Sequence, residues 1–466
     1  MPRPRQLDPT SLTLRLQAGG PLTAQAMAAT AGVDRSRVSR ALTELGEPIV
    51  RLGTTRGMRY ALRRSVRGIG HTFPVRRMDE SGQAEEWAEL TALHGGWRVT
   101  WIDAARTPAW ASRVIELGGW SEGFPFFLSD LRPQGYLGRW IGRALPAALG
   151  LPGDPRDWSD DDTLVFLQAE GDDLAGDLIV GDQPLQRVQR RLLEPMTAAL
   201  AESERAARYP LLAENVAEMG RGGSSVEGEQ PKFLTVLETA AGRVPVLVKF
   251  TDLLSTPTGR RWADLLVAEA HALTLLHEHG ETQTAPRVLD AGGRRFCEIA
   301  RFDRVGAHGR RGIVSLRALH DAFPGADTAD WVVRALAFER EGLIGADTLR
   351  SIRLRHTFGR LIGNADMHFG NLAFWRDDAL PFRLAPAYDM LPMLWAPSVG
   401  NATPTPDFAP PPPLPAEREL WSEAVAWAVE FWQRVSDDER VSPEFATTAR
   451  EAGALVARMR GLFSTG

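Results

Sequence analysis

Two segments late in the chain, LIGNADMHFGN (361–371) and LAPAYDM (384–390), restrict its possible folds more than any other feature. Asp366 precedes Asn371 by five residues, and Asp389 follows beyond a stretch that fits a short hairpin. A carboxylate on such a loop can orient a hydroxyl and accept its proton. An amide oxygen and a second carboxylate are hard donors of the kind Mg²⁺ takes. A chain using all three must fold a loop, a hairpin and a second loop around one point. The plainer reading leaves Asp366 and Asn371 as turn residues and Asp389 as a helix cap.

The basic residues narrow the choice. Of 54 lysines and arginines, only Lys232 and Lys249 are lysine. Arginine is a planar fork and lysine a compact charge on a slim stem. Two lysines 17 residues apart therefore mark a place that needs the point charge. Lys232 ends the run GGSSVEGEQPK (222–232), just ahead of a predicted strand. Glycines there let backbone N–H groups approach phosphate oxygens, and a lysine can reach the charge. No helix opening with Gly-Lys-Ser/Thr follows, so this is no Walker A loop, and by itself the run also reads as an ordinary turn. Lys249 ends the apolar strand VPVLVKF, where a charge must enter a polar site or reach solvent. Glu269 comes twenty residues later on an amphipathic helix, either as the partner of Lys249 or on a solvated face.

A strand lysine paired with a helix glutamate holds the ATP phosphates in protein kinases. There a catalytic-loop aspartate also precedes a metal-binding asparagine by five residues, and a second metal aspartate follows. Lys249, Glu269, Asp366, Asn371 and Asp389 occur in that order, with YDM in place of DFG around the last.

Charge divides the chain. Residues 1–77 hold 14 arginines against Asp8, Asp34, Glu44 and Glu47, a net of +10, which leaves −15 for the rest of a chain whose total is −5. A basic head on an acidic body directs nucleic acid to the head alone. Residues 7–18 have helical spacing and stop at Gly19-Gly20-Pro21. Thr23 then caps a short helix, Gly32 turns the chain, and a second helix starts at Asp34 with Val38, Leu42 and Leu45 inward. That is the helix-turn-helix pattern. Arg35, Ser36, Arg37, Ser39 and Arg40 fall where a recognition helix reaches base edges. IVRLG, TTRG and MRYALRR read as two short strands around a turn, a basic wing carrying Arg56 and Arg59. A small helical domain with a solvated basic face is the alternative.

Beyond the head, residues 85–150 are rich in Trp and Gly with mixed signals. Residues 164–167 and 177–180 read as strands, 185–219 as helical, FLTVLE and VPVLVKF as an antiparallel pair, and 262–279 as a long helix. From Ala318 onward the segments are mainly helical, with a proline-rich loop at 403–417 and two closing helices. Cys297 is the single cysteine, so no disulfide framework is available and a reducing cytosol is the expected setting. MPRPRQLDPT lacks an apolar signal region, and no run approaches the roughly 20 apolar residues of a bilayer span. A cytoplasmic protein without a membrane partner is expected.

The chain resembles the HipA-like serine/threonine protein kinases, the toxin half of some bacterial toxin–antitoxin systems. The residues that carry the resemblance are FFLSDLRPQG (126–135), RFDR (301–304) and the pairing of IGNADMHFGN with LAPAYDM, within roughly 120–400. The resemblance implies an α+β, bilobal protein-kinase-like fold related to the phosphoinositide kinases. It implies transfer of the ATP γ-phosphate to Ser or Thr of a protein substrate. Asp366 would be the base, and Asn371 and Asp389 would hold Mg²⁺. Lys249, set by Glu269, would contact phosphates, while Gly228, Glu229, Gln230 and Lys232, with Ser225, Val226 and Glu227 before them, would cover them. Ala300, Arg301 and Phe302 would line the adenine, with His368 and Tyr388 near the nucleotide. Ser225 aligns with a loop serine that relatives can phosphorylate in themselves, which ejects the loop and inactivates the kinase.

The chain departs from the best-known members in carrying its own winged helix-turn-helix, as the HipH-type subgroup does, where they leave DNA contact to a separate antitoxin. It also has Ala300 where relatives carry glutamate, so adenine contacts there are backbone only. The expected division is a DNA-binding head (1–75), a kinase N-terminal lobe with the Gly-rich loop (76–305) and a mainly helical C-terminal lobe (306–466), with ATP, Mg²⁺, DNA, a protein substrate and an antitoxin as partners. Two other classes compete: a nucleotide-sensing transcription regulator that binds ATP without transfer, and a metal-dependent DNase using Asp366, His368 and Asp389. The second leaves both lysines and the glycine run without a role.

Overall fold

The computed structural model describes residues 8–54, 57–116, 118–133, 149–193, 199–220, 230–283, 285–323, 325, 327–397 and 406–464. The head comprises helices α1 (Pro9–Gly19), α2 (Ala24–Ala31) and α3 (Arg35–Leu45) with strands β1 (Leu22–Thr23), β2 (Ile49–Leu52) and β3 (Arg59–Leu62). Local chemistry sets its helix ends. The Asp8 carboxylate caps α1, and Thr23 Oγ1 accepts the Ala26 N–H at 3.1 Å to start α2. Gly32 takes φ +66° after α2, a left-handed turn that glycine adopts freely. Leu12, Leu16, Met27, Val38 and Leu42 close the small core, beside a sheet ordered β1-β3-β2.

Next comes a five-stranded antiparallel sheet of β4 (Thr72–Met78), β5 (Ala84–Leu93), β6 (Gly96–Trp101), β7 (Trp120–Ser121) and β8 (Leu178–Val180), ordered β7-β6-β5-β4-β8. Its aromatic core, including Trp87, Trp97, Trp110, Phe126 and Phe127, is continuous with Phe338 and Phe374 of the C-terminal half. Residues 164–167, expected as a strand, lie instead within helix α4 (Asp160–Glu170). Ser159 and Asp162 form a capping box at its start, and residues 162–167 are all buried, which erased the helical alternation the sequence reading relied on. Helix α5 (Asp182–Leu193) follows β8.

A second sheet, ordered β12-β13-β11-β10-β9, contains β9 (Leu200–Ala201), β10 (Lys232–Thr239), β11 (Gly242–Phe250), β12 (Arg287–Ala291) and β13 (Arg294–Ala300). Helix α6 (Arg205–Gly220) covers one face through Tyr209 and Ala213 against Phe233, Val248 and Phe296. The other face packs on α7 (Pro257–Glu278), where Leu266 and Ala270 meet Cys297. Alternation along β11 therefore sends Val248 toward α6 and Lys249 toward α7. Among the described residues, the segment expected to form one N-terminal lobe (76–305) thus carries most of two separate five-stranded sheets, the first of which already begins at Thr72.

The rest is mainly helical: α8 (Leu316–Ala322), α9 (Trp331–Arg340), α10 (Ala346–Leu361), α11 (Arg418–Asp437) and α12 (Pro443–Phe463), with short pairs β14 (Arg304–Val305) and β15 (Gly309–Arg310), and a small sheet of β16 (Ile313–Ser315), β17 (Ala373–Trp375) and β18 (Arg383–Leu384). The architecture is α+β, with β9–β13 facing the helical body across a cleft. Among the described residues no helix is long and apolar enough to cross a membrane.

Candidate active site

The cleft has a volume of about 880 Å³ and is lined by Lys232, Lys249, Ala300, Phe302, Tyr388 and Asp389, among others. Lys232 on β10 and Lys249 on β11 are register partners. Lys249 is buried, and its ammonium donates to Glu269 Oε1 at 2.5 Å and to Asp389 Oδ1. Burial works against the charged lysine, yet the Asp389 and Glu269 carboxylates together hold it above the ordinary lysine range. Burial would likewise raise the Asp389 carboxyl, but Lys249 and Lys232 bring it down to about 2. Burial pushes Glu269 up, and its Oε2 is a buried oxygen without a hydrogen-bond partner among the described residues.

Asp389 has φ +50°, a left-handed conformation that aspartate tolerates better than most side chains. Two ties hold its loop to the loop carrying Asp366. Buried Asn364 accepts the Asp366 N–H at 3.0 Å and donates Nδ2 to the Asp389 carbonyl at 3.4 Å. The Tyr388 hydroxyl donates to the Gly370 carbonyl at 2.7 Å, and burial raises this phenol well above its usual range. From behind, Arg355 on α10 donates to the Ala385 carbonyl at 2.7 Å and to Glu281 Oε2 at 2.7 Å. Asn364 and Arg355 had no part in the sequence reading. Asn364 lies inside the motif, and a buried amide must find partners, but only the fold shows which.

Asp366 is half exposed, with His368 Nε2 4.0 Å from its Oδ1. His368 caps the 3₁₀ turn Phe369–Asn371, its Nδ1 accepting the Gly370 N–H at 3.0 Å. Asn371 donates Nδ2 to the Asp366 carbonyl at 2.8 Å, which turns its amide oxygen the other way. Phe302 and Tyr388 face each other with ring centres 5.8 Å apart. Arg301 lines the cleft, but its guanidinium is drawn into an ion-pair cluster with Asp303 at 2.9 Å and Asp173 at 3.2 Å. Gln230 turns to the strand end, donating Nε2 to the Phe250 carbonyl at 2.9 Å. Ser225, Val226, Glu227, Gly228 and Glu229 lie outside the described residues. Among the described residues no group of three or more His, Cys, Asp or Glu is placed to hold a metal ion.

In the head, Arg35, Ser36, Arg37 and Arg40 are exposed along α3, and Ser39 is partly buried. Arg56 lies outside the described residues. Arg59 departs from the expectation that it meets phosphate: its guanidinium pairs with Glu116 and stacks 4.4 Å from the Trp120 ring centre, so it faces the body. Val50, Leu52 and Ala61 of the head share a buried cluster with Leu93 of β5. Arg64 reinforces the seam by pairing with Asp161 at 2.6 Å.

Residues 224–459 match the model of the HipA-like C-terminal domain, and residues 69–189 match that of the YjjJ-like toxin middle domain. The chain is 35% identical over 439 residues to Toxin YjjJ of Escherichia coli K12, covering 93% of this chain and 94% of that protein. Its fold is similar to that of HipA from Shewanella oneidensis MR-1, solved with HipB and operator DNA, with a TM-score of 0.51 at 15% identity over 84% of this chain and 97% of that one.

Proposed function

The chain belongs to the HipA-like toxin family, and on that premise we propose that it is an ATP- and Mg²⁺-dependent serine/threonine protein kinase with a DNA-binding head. The observation that carries the reading is the arrangement of Lys232, Lys249, Glu269 and Asp389 at one end of the cleft. Two ammonium groups opposed across neighbouring strands repel each other, an arrangement that suits a polyanion between them. Phe302, Tyr388 and the chain around Ala300 offer an apolar wall for the base.

The donor set fits Mg²⁺. Asn371 presents an amide oxygen and Asp389 a carboxylate, and Mg²⁺ takes one or two protein carboxylates with phosphates and water completing its shell. Held there, the ion would neutralise charge on the phosphates. Asp366 orients the substrate hydroxyl and takes its proton as the new O–P bond forms and the bond to ADP breaks. Lys249 keeps the phosphates in line, and Asn364 fixes the distance between the two loops.

On this reading the head is a winged helix-turn-helix that ends before β4 rather than at residue 75, the segment up to 305 is an N-terminal lobe with an inserted middle sheet, and 306–466 is the C-terminal lobe. Arg35, Arg37 and Arg40 meet DNA. A phosphate on Ser225 would add about two negative charges beside the ATP phosphates and switch the enzyme off. An antitoxin is a further partner, and the cytoplasm the site of action. Comparing the phosphoproteomes of cells briefly expressing active and Asp366→Ala protein tests the reading. Phosphoserine or phosphothreonine sites that appear only with active protein support it; identical phosphoproteomes contradict it.

A further inference from the structure

We propose that a second, polar pocket, between the middle sheet and the catalytic body, binds a phosphate-type oxyanion. The pocket measures about 700 Å³ and is formed by the end of β4, the turn after it, β15 and the loop between β17 and β18. It adjoins the nucleotide cleft, since Gln283 lines both.

Six arginines and six carboxylates line it, and most of the arginines are paired, Arg106 with Glu85 at 2.9 Å among them. Arg77 pairs with Glu85 at 2.6 Å and Asp378 at 2.8 Å, Arg311 with Glu80 at 2.9 Å, and Arg383 with Asp377 at 2.8 Å. Arg310 differs. It is 6% exposed and has no ion pair among the described residues. Its Nη2 donates to the Asp172 carbonyl at 2.6 Å, and its Nη1 is buried without a partner among the described residues. Beside it, Arg376 is 3% exposed, gives Nη2 to Asp177 at 2.5 Å and likewise has no partner for Nη1 among the described residues.

A buried guanidinium without a counter-ion is costly, and native proteins pair such charges. Behind Arg310 lie Arg301 and Arg304 against Asp173 and Asp303, so the cluster holds three cations and two carboxylates. Burial, with Arg304 nearby, pushes Arg310 down to about 9. An oxyanion would supply the missing charge, and its acceptors suit guanidinium donors. The uncompensated charge at Arg310 is independent of whether the neighbouring cleft transfers phosphate.

The test is thermal melting of the full chain in phosphate-free buffer with and without inorganic phosphate, for wild type, Lys249→Met, Arg310→Lys and Arg310→Met. Phosphate is expected to raise the wild-type Tm and to do so equally in Lys249→Met, which lacks the cleft lysine. The midpoint phosphate concentration should rise at least tenfold in Arg310→Lys, which keeps a charge but loses the fork. In Arg310→Met the phosphate response should vanish, with a phosphate-free Tm no lower than wild type. Glycerol phosphate in place of phosphate separates the sources: a stronger response assigns the site to an esterified phosphate, an equal or weaker one to the free anion. A phosphate response that survives in both Arg310 variants, is abolished by Lys249→Met, or is absent from wild type would overturn the proposal.

Discussion

Lys232 and Lys249, the two lysines of the chain, face each other across β10 and β11. Their closeness in sequence is a consequence of the hairpin that joins those strands. Opposed like charges are unfavourable in a sheet, and Glu269 and Asp389 compensate on the α7 side. The compact charge suits the place because Lys249 is buried between two carboxylates, and a planar fork would need a different geometry there.

Lys249→Arg therefore keeps the charge and is still expected to lower phosphoryl transfer at least 100-fold. Steady-state kinetics on the variant check this, and wild-type turnover would reduce the lysine pair to a compositional accident.

Asn364 gives a prediction that the motif alone did not. Asn364→Ala leaves the Asp366 N–H and the Asp389 carbonyl without their shared partner, at a cost of about 1–3 kcal/mol for a buried unsatisfied group. Transfer should fall through kcat with ATP affinity largely kept, because the base is misplaced and the lysines are not. Asn364→Asp should not rescue it, since a carboxylate accepts from Asp366 but donates nothing to Asp389. Urea unfolding alongside kinetics separates the two effects.

The contrast between Asp366 and Asn364 shows what the sequence could carry. Asp366, Asn371 and Asp389 are legible as a set because the proposed chemistry demands residue types at a fixed spacing. Asn364 and Arg355 act by joining segments remote in sequence, and no local pattern encodes that. Helix α4 was misread because residues 162–167 are buried on every side. The middle sheet escaped notice because β5 buries neighbouring residues toward its end, which blurs the period of two. Charge and the wing pattern direct Arg59 to DNA phosphate, whereas its guanidinium pairs with Glu116 and stacks on Trp120, contacts that no local pattern encodes.

Acid should expose the Asp303 cluster. Burial raises this carboxyl, but Arg301 and Arg304 outweigh it and bring it from 3.8 down to about 2. A depressed folded pKa stabilises above the unfolded value, and that stability drains as pH falls through the folded one. Between pH 4 and pH 2 the wild type should lose about 2 kcal/mol through this group. Asp303→Asn should be less stable at pH 6 and have a flatter profile in that window. Urea midpoints across pH measure it, and an unchanged slope would reject the assignment.

On the proposed reading, the head separates residues that read DNA from residues that anchor it to the body. Arg35→Ala, Arg37→Ala and Arg40→Ala together should weaken binding to upstream DNA and abolish sequence preference, a bidentate guanine contact being worth about 1–3 kcal/mol. Wild-type affinity should fall steeply with salt. Arg59→Ala should leave affinity within about twofold and instead lower the melting temperature, because it frees the seam at Glu116. Fluorescence anisotropy and thermal melting on the full chain give both readouts.

The most direct test of the account is transfer from γ-labelled ATP with Mg²⁺ to protein, by wild type, Asp366→Asn and Asp389→Ala, with nucleotide binding measured in parallel. The account predicts transfer by wild type alone, ATP affinity largely retained in Asp366→Asn, and Mg²⁺-dependent affinity lost in Asp389→Ala. Wild-type turnover in both variants, or ATP binding without transfer by the wild type, would contradict it.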